Sequence, residues 1–148
     1  MKTLRILPTV LGVAVLTGLA AFVGINVLAS SGPPDGPVEV AWDRDVCAFC
    51  GMHVGEPAFV VQAHLRNGKV LFYDDPGCAM RHVAGGGLDV HRMWFHHVRE
   101  DRWIPGDRVA FMETPTSPMG YRLGAVDSGT PDAISYQEAL RRVMEDGR

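Results

Sequence analysis

One nine-residue segment carries side chains that bind soft metal ions. It reads DVCAFCGMH, residues 45–53, and places Cys47, Cys50, Met52 and His53 within seven residues. Thiolate and thioether sulfur favour copper(I) over magnesium, calcium or manganese. Two cysteines three positions apart can approach one ion from a tight turn, and the glycine between Cys50 and Met52 lets the chain bend so that the thioether points back. The segment therefore predicts a metal site built on sulfur.

A second segment supplies the third cysteine of the chain. It reads DDPGCAMRH, residues 74–82, and its Cys78 and His82 are four positions apart, on one face of a helix. Together with Cys47 and Cys50 they would complete a structural zinc site, which is the main alternative to copper. Cys78 also fits a copper ligand or a small buried core side chain, and burial is common for free cysteine. The two aspartates precede a proline and suit a helix cap or turn.

A methionine in a Pro/Gly turn is the third candidate ligand. Met119 lies in the sequence SPMG, where it has no regular helix or strand face to fill. Alone it would be interpreted as a gap-filling core side chain. Beside a Cys-Gly-Met segment we expect its thioether to reach the centre formed by Cys50 and Met52.

Other chemistries fit the sequence less well. A Cys-x-x-Cys pair also serves dithiol oxidoreductases, but there it opens a helix in a βαβ unit, whereas Cys47 and Cys50 precede a predicted hairpin. No glycine-rich phosphate loop follows a strand, and no Gly-x-Ser-x-Gly elbow is present. We expect a protein that binds metal and is not an enzyme, with the oxidoreductase kept as a minor alternative.

The N-terminus predicts export and attachment to a membrane. Lys2 and Arg5 precede an apolar stretch, residues 6–29, that contains no charged side chain. Such a stretch can span a bilayer core of about 30 Å. Positive charges on its N-terminal side predict that the following domain faces the periplasm or the outside of the cell membrane. Cleavage after Ala29 would instead release a secreted protein.

Composition divides the chain and excludes one class of partner. We assign residues 1–30 to a signal anchor or transmembrane helix, residues 31–39 to a Gly/Pro/Ser-rich linker and residues 40–148 to the metal-binding domain. The net charge is −3, and no block of Lys or Arg follows the apolar stretch. Nucleic acid is therefore not an expected partner, because its phosphates require a basic surface.

Turn and cap signals predict an α+β domain with mainly antiparallel strands. Asn67-Gly68 predicts a hairpin, and Asp75-Pro76 predicts the start of a helix that ends before a run of three glycines. The predicted strands are 58–65, 69–73, 94–98, 108–113 and 121–126, with a shorter one at 133–136, and the predicted helices are 75–84 and 137–145.

Three motifs, in this order and at this spacing, resemble the NosL family of copper chaperones associated with nitrous oxide reductase maturation. They are CAFCGM at residues 47–52, LFYDDPGC at 71–78 and PMGYRLGAV at 118–126. The resemblance covers about residues 40–148. It implies a small fold of ββα-type units and an extracytoplasmic protein that binds one copper(I). It also implies a partner that accepts the copper, either a cuproenzyme or another copper carrier.

The resemblance also implies a ligand set. Cys50 and Met52 match the Cys-x-Met element of the family and Met119 matches its later Met-Gly element, whereas Cys47 matches only the branch that has two cysteines. Our hypothesis is a copper(I) site of low coordination number with Cys50 as the principal thiolate, two methionine thioethers, and assistance from Cys47 or His53. Family members are typically lipoproteins, and here the apolar stretch would replace the lipid as the anchor.

Overall fold

The computed structural model describes residues 15–24 and 32–146. The chain divides into two compact units, Met1–Gly32 and Pro33–Arg148. The first contains helix α1 over residues 15–24. None of the helices in the described ranges is both long and apolar enough to cross a membrane. Most of the predicted anchor, residues 6–14 and 25–29, lies outside the described residues.

The second unit is an α+β domain whose described part contains seven strands and two helices after a short 3-10 turn, Pro57–Phe59. The elements in chain order are β1 Val61–Leu65, β2 Val70–Tyr73, α2 Pro76–Ala84, β3 Val90–His96, β4 Trp103–Pro105, β5 Val109–Glu113, β6 Leu123–Asp127, β7 Ile134–Ser135 and α3 Tyr136–Asp146.

The strands form two antiparallel sheets, one with the order β2-β1-β3-β4 and one with the order β6-β5-β7. In the first sheet Ala63 of β1 lies between Leu71 and Met93 on the neighbouring strands. The two sheets and both helices of the unit share one apolar core. The rings of Phe95 from β3 and Phe111 from β5 pack edge to face, with 5.4 Å between their centroids, and this contact joins the two sheets.

Both faces of β1 are buried, for two different reasons. Its alternate residues Val61, Ala63 and Leu65 belong to the core. On the opposite face, Gln62 exchanges two hydrogen bonds with the backbone of Val38, and His64 contacts the carbonyl oxygen of Pro34 at 3.3 Å. The residues predicted as a linker thus include a segment, 33–38, that lies along the sheet.

The predicted elements agree with this fold in type and differ at their edges. The helix capped by Asp75 is confirmed, since that carboxylate accepts a hydrogen bond from Gly77 N. β3 begins at Val90, earlier than predicted, because β1 provides a pairing partner along its length. Strand β4 was not predicted; it is three residues long and forms only by pairing with β3. Of the expected ββα-type units, the first is present as β1-β2-α2.

Candidate metal centre

Four side chains meet at one point where the first sheet adjoins helix α2. The sulfur atoms of Cys47, Cys50 and Cys78 and a carboxylate oxygen of Asp74 all lie within 4.8 Å of one another. Three sulfurs and one oxygen at this separation could hold a single metal ion. The structure therefore brings all three cysteines of the chain into one possible metal site.

A short loop positions two of the cysteines. Cys47 N donates to Met52 O at 2.8 Å, and Gly51 N donates to Cys47 O at 3.0 Å, so the chain turns back on itself. Gly51 has a φ of 78°, a left-handed conformation that glycine adopts without strain, as the sequence predicted. Ala48 N donates to Phe72 O at 2.8 Å, which fastens this loop to strand β2.

The other two members follow directly along the chain. Asp74 comes immediately after β2 and Cys78 lies in the first turn of α2. The Cys50 thiol donates to Asp74 Oδ1 at 3.4 Å. Asp74 Oδ2 is buried and has no hydrogen-bond partner among the described residues. An unpaired buried carboxylate oxygen beside three sulfurs is an acceptor that a cation could satisfy.

Burial differs among the three thiols. Cys78 is completely buried and Cys47 is 2% exposed, and both belong to the apolar core. Cys50 is half-buried at the edge of the cluster. The interpretation of Cys78 as a core side chain and its interpretation as a ligand are therefore compatible. Access from solvent is greatest at Cys50.

Hydrogen bonding and burial shift the protonation of the cluster in different directions. The Cys78 thiol donates to the Cys47 sulfur, which lowers the pKa of Cys47 well below that of a free thiol and raises the pKa of Cys78. Burial raises the pKa of Cys50. Burial, with a hydrogen bond to Cys47, raises the pKa of Asp74 to about 6. Near neutral pH the site thus holds negative charge in a desolvated place, which favours a cation.

The predicted thioether ligands lie at the protein surface. Met52 is 49% exposed and follows Cys50 in the same loop. Met119 is 38% exposed, and its backbone nitrogen donates to Asp75 Oδ2 at 3.0 Å, so its loop is fixed next to the residue that follows Asp74. His53 is exposed and pairs its backbone with Val46.

The zinc alternative requires a correction at its fourth ligand. His82 is not a member of the four-residue cluster. Its Nδ1 is hydrogen-bonded to the Tyr73 hydroxyl at 3.1 Å. Its ring packs against the ring of Phe49, with 5.9 Å between the ring centroids. Helical spacing placed His82 near Cys78 but could not reveal the tyrosine that holds the ring.

Asp74 is the cluster residue that sequence reasoning missed. The pair Asp74-Asp75 was interpreted as a cap or turn; Asp75 is the helix cap, whereas Asp74 also joins the cysteine cluster. The available signal was the position of Asp74 between strand β2 and the helix that carries Cys78.

Comparisons with protein-family models, with curated proteins and with solved structures find no match to this chain.

Proposed function

We propose that this protein binds copper(I) outside the cytoplasm, anchored in the membrane, and delivers it to a copper enzyme or to another copper carrier. The observation that carries the proposal is the convergence of Cys47, Cys50 and Cys78, with Cys50 at the exposed edge. Three sulfurs are a donor set for a soft ion, and copper(I) is the first-row ion that most favours thiolate and thioether together.

The exposed methionines support copper over a purely structural ion. Met52 lies two positions after the half-buried Cys50. The side chains of Met52 and Met119 are large and apolar, yet both are partly exposed to solvent. An exposed methionine forgoes the stabilisation that burial of its side chain would give. A role as a thioether ligand explains why both side chains stay at the surface. Cys50, Met52 and Met119 would then form the outer ligand set, with Cys47 behind them and His53 as an accessory ligand.

Delivery requires that a partner's ligands reach the ion before it leaves. A half-buried Cys50 with surface thioethers beside it permits such ligand exchange, whereas a fully enclosed site would retain its ion. We propose that the protein acts by carrying copper and does not catalyse a reaction. The motifs that resemble the NosL family favour a nitrous oxide reductase-type client, and the charge-free stretch, residues 6–29, favours a membrane anchor.

Structural zinc is the second candidate, now with Asp74 in place of His82. The observation that favours it is the unpaired Asp74 Oδ2, because a carboxylate oxygen suits zinc better than copper(I). A closed site of three cysteines and one aspartate would stabilise the fold without taking part in transfer. The two candidates therefore differ in which atoms bind the ion.

Competition titration with a chromophoric copper(I) chelator tests the proposal. We expect one copper(I) per chain, with affinity lowered at least about tenfold in Cys50→Ala and, to a smaller degree, in Met119→Ala. Met144→Ala is the matched control, since Met144 is 44% exposed on helix α3 and should leave affinity unchanged. Parent-like binding by both Cys50→Ala and Met119→Ala would contradict the proposal.

A further inference from the structure

The three thiols of the metal centre are also arranged for exchange with a disulfide. Their sulfur atoms lie within 4.8 Å of one another, and their exposure differs sharply. Cys50 is half-buried, whereas Cys47 is 2% exposed and Cys78 is fully buried. An oxidant from solution would therefore meet Cys50 first, and a second thiol already lies beside it.

We propose that the metal-free centre is a redox gate: a small disulfide oxidant attacks at Cys50, Cys47 closes an internal disulfide, and the oxidised protein no longer accepts the ion. This inference rests on the proposed function, because the gate regulates the same site. It differs from an oxidoreductase role, since one oxidation event per chain suffices and no substrate is turned over.

The exchange balances in two steps. The Cys50 thiol passes its proton to the Asp74 carboxylate, to which it already donates a hydrogen bond, and its sulfur attacks one sulfur of the external disulfide. One external thiolate leaves, which produces a mixed disulfide at Cys50. The Cys47 thiolate then attacks Cys50 Sγ, and the second external thiolate leaves. The two cysteine sulfurs lose two electrons to the external disulfide. The Cys50 proton passes through Asp74 to one released thiolate, and the other released thiolate takes a proton from solvent.

Loop geometry selects Cys47 as the closing thiol. Cys47 and Cys50 belong to one turn, which the hydrogen bond from Gly51 N to Cys47 O closes. A disulfide requires the two sulfurs to approach to about 2.05 Å, and a turn of four residues can adjust locally to permit this. Cys78 instead lies on helix α2 inside the core, so that bonding it to Cys50 would require movement of packed elements.

Metal and disulfide exclude each other because they use the same atoms. A bound ion occupies the sulfurs of Cys47 and Cys50, so the loaded protein resists oxidation. The disulfide removes two of the three sulfurs from the cluster, and Cys78 remains as a buried thiol. Loading would thus be confined to the reduced protein, and reduction of the disulfide would reopen the site.

Thiol counting on the full chain tests the gate without any metal. Reduced, metal-free protein is treated with oxidised glutathione, and free thiols are then alkylated under denaturing conditions. We expect three thiols to fall to one. Trypsin cuts after Arg44, Arg66, Lys69 and Arg81, so Cys47 and Cys50 share the peptide 45–66 while Cys78 lies in 70–81. The predicted disulfide leaves the peptides unlinked, and peptide 45–66 loses about 2 Da.

Variants identify the roles of the three thiols. Cys78→Ser should still form the disulfide, and Cys47→Ser should stop at a glutathione adduct on Cys50. A cross-link between the two peptides, or three thiols surviving glutathione, overturns the inference. The protein loaded with one copper(I) should keep its thiols, and equal oxidation with and without copper also overturns it. Copper(I) titration of the reduced protein tests the proposed function independently of the redox gate. Either proposal can therefore be contradicted without the other.

Discussion

Asp74 accepts a hydrogen bond from the Cys50 thiol at 3.4 Å, and through this contact a buried carboxylate becomes part of a cysteine cluster. The neighbouring Asp75 serves a different purpose. Its carboxylate caps α2 through Gly77 N and fixes the loop of Met119 through the Ser117 hydroxyl at 2.6 Å. Asp74 therefore belongs to the cysteine cluster, whereas Asp75 stabilises the helix and the neighbouring loop. Substitutions at the two positions should have different effects.

The first prediction concerns the stability of the metal-free protein. The pKa of Asp74 is raised to about 6 from 3.8, so the folded state binds more protons between these values, and stability falls as pH rises through this range. Asp74→Asn should therefore raise the free energy of unfolding at pH 7.5 by roughly 1–2 kcal/mol, with a smaller gain at pH 4.5. Denaturant titration at both pH values measures this.

Asp75→Ala is the contrasting variant for that experiment. It removes the helix cap and both hydrogen bonds to the 117–119 loop, and it should lower stability by about 1–2 kcal/mol. If Asp74→Asn destabilises the metal-free protein as much as Asp75→Ala does, the account of Asp74 as a desolvated acid is wrong.

The second prediction uses Asp74 to distinguish the two candidate ions. A carboxylate oxygen is a good ligand for zinc or cobalt(II) and a poor one for copper(I). Asp74→Asn should weaken zinc binding by about tenfold or more while changing copper(I) affinity by less than about threefold. Parallel competition titrations with the two ions check this. Equal losses for both ions would show that the carboxylate does not discriminate between them.

The third prediction concerns the contact between α2 and the loop that carries Met119. A Cβ on Gly77 would clash with the ring of Tyr121, so only a glycine at this position leaves room for the ring against α2. Gly77→Ala should destabilise the domain by about 1–3 kcal/mol and, by displacing the loop, should weaken copper(I) binding. Chemical denaturation and copper titration provide the two readouts.

Gly36→Ala is the matched control for this substitution. A Cβ at Gly36 would meet nothing within 4 Å, so stability and copper binding should both stay near those of the parent. Full copper affinity in a destabilised Gly77→Ala protein would argue against a ligand role for Met119.

The fourth prediction concerns pH and the contact between β1 and the segment 33–38. Burial lowers the pKa of His64, which contacts Pro34 O and Gln62 Oε1. The unfolded chain therefore takes up a proton at higher pH than the folded one, and this contribution to stability is lost as pH falls through about 6.5. His64→Gln should flatten the decline of unfolding free energy between pH 7.5 and 5.5.

An exposed histidine provides the control for the pH experiment. His53 is exposed, and His53→Gln should retain the pH slope of the parent. If the slope of His64→Gln equals that of the parent, protonation of His64 does not contribute to the stability of the domain.

Residue type and spacing predicted part of the centre and could not predict the rest. The pairing of Cys47 with Cys50 followed from a short loop, because local turn geometry depends on neighbouring residues. Asp74, and not His82, is the fourth residue of the cluster because of tertiary contacts. The Tyr73 hydroxyl is hydrogen-bonded to the histidine, and the end of β2 places the carboxylate beside Cys50. Tyr73 and His82 are nine positions apart and Cys50 and Asp74 are 24 positions apart, so turn geometry alone does not encode these contacts.

The same reason explains the agreement and the error in the fold. Asn67-Gly68 and the cap at Asp75 are local signals, and both elements formed where they were expected. Strand β4 has only three residues, and a proline ends it. It exists because β3 supplies hydrogen-bond partners from Trp94 to His96. A strand that short depends on its neighbour more than on its own sequence.

X-ray absorption at the copper edge of the copper(I)-loaded full chain tests the central claim most directly. The account predicts a first shell dominated by two or three sulfur atoms, with at most one nitrogen atom from His53, and the loss of sulfur scattering in Cys50→Ala. A first shell dominated by nitrogen or oxygen, or a spectrum that Cys50→Ala leaves unchanged, would contradict it.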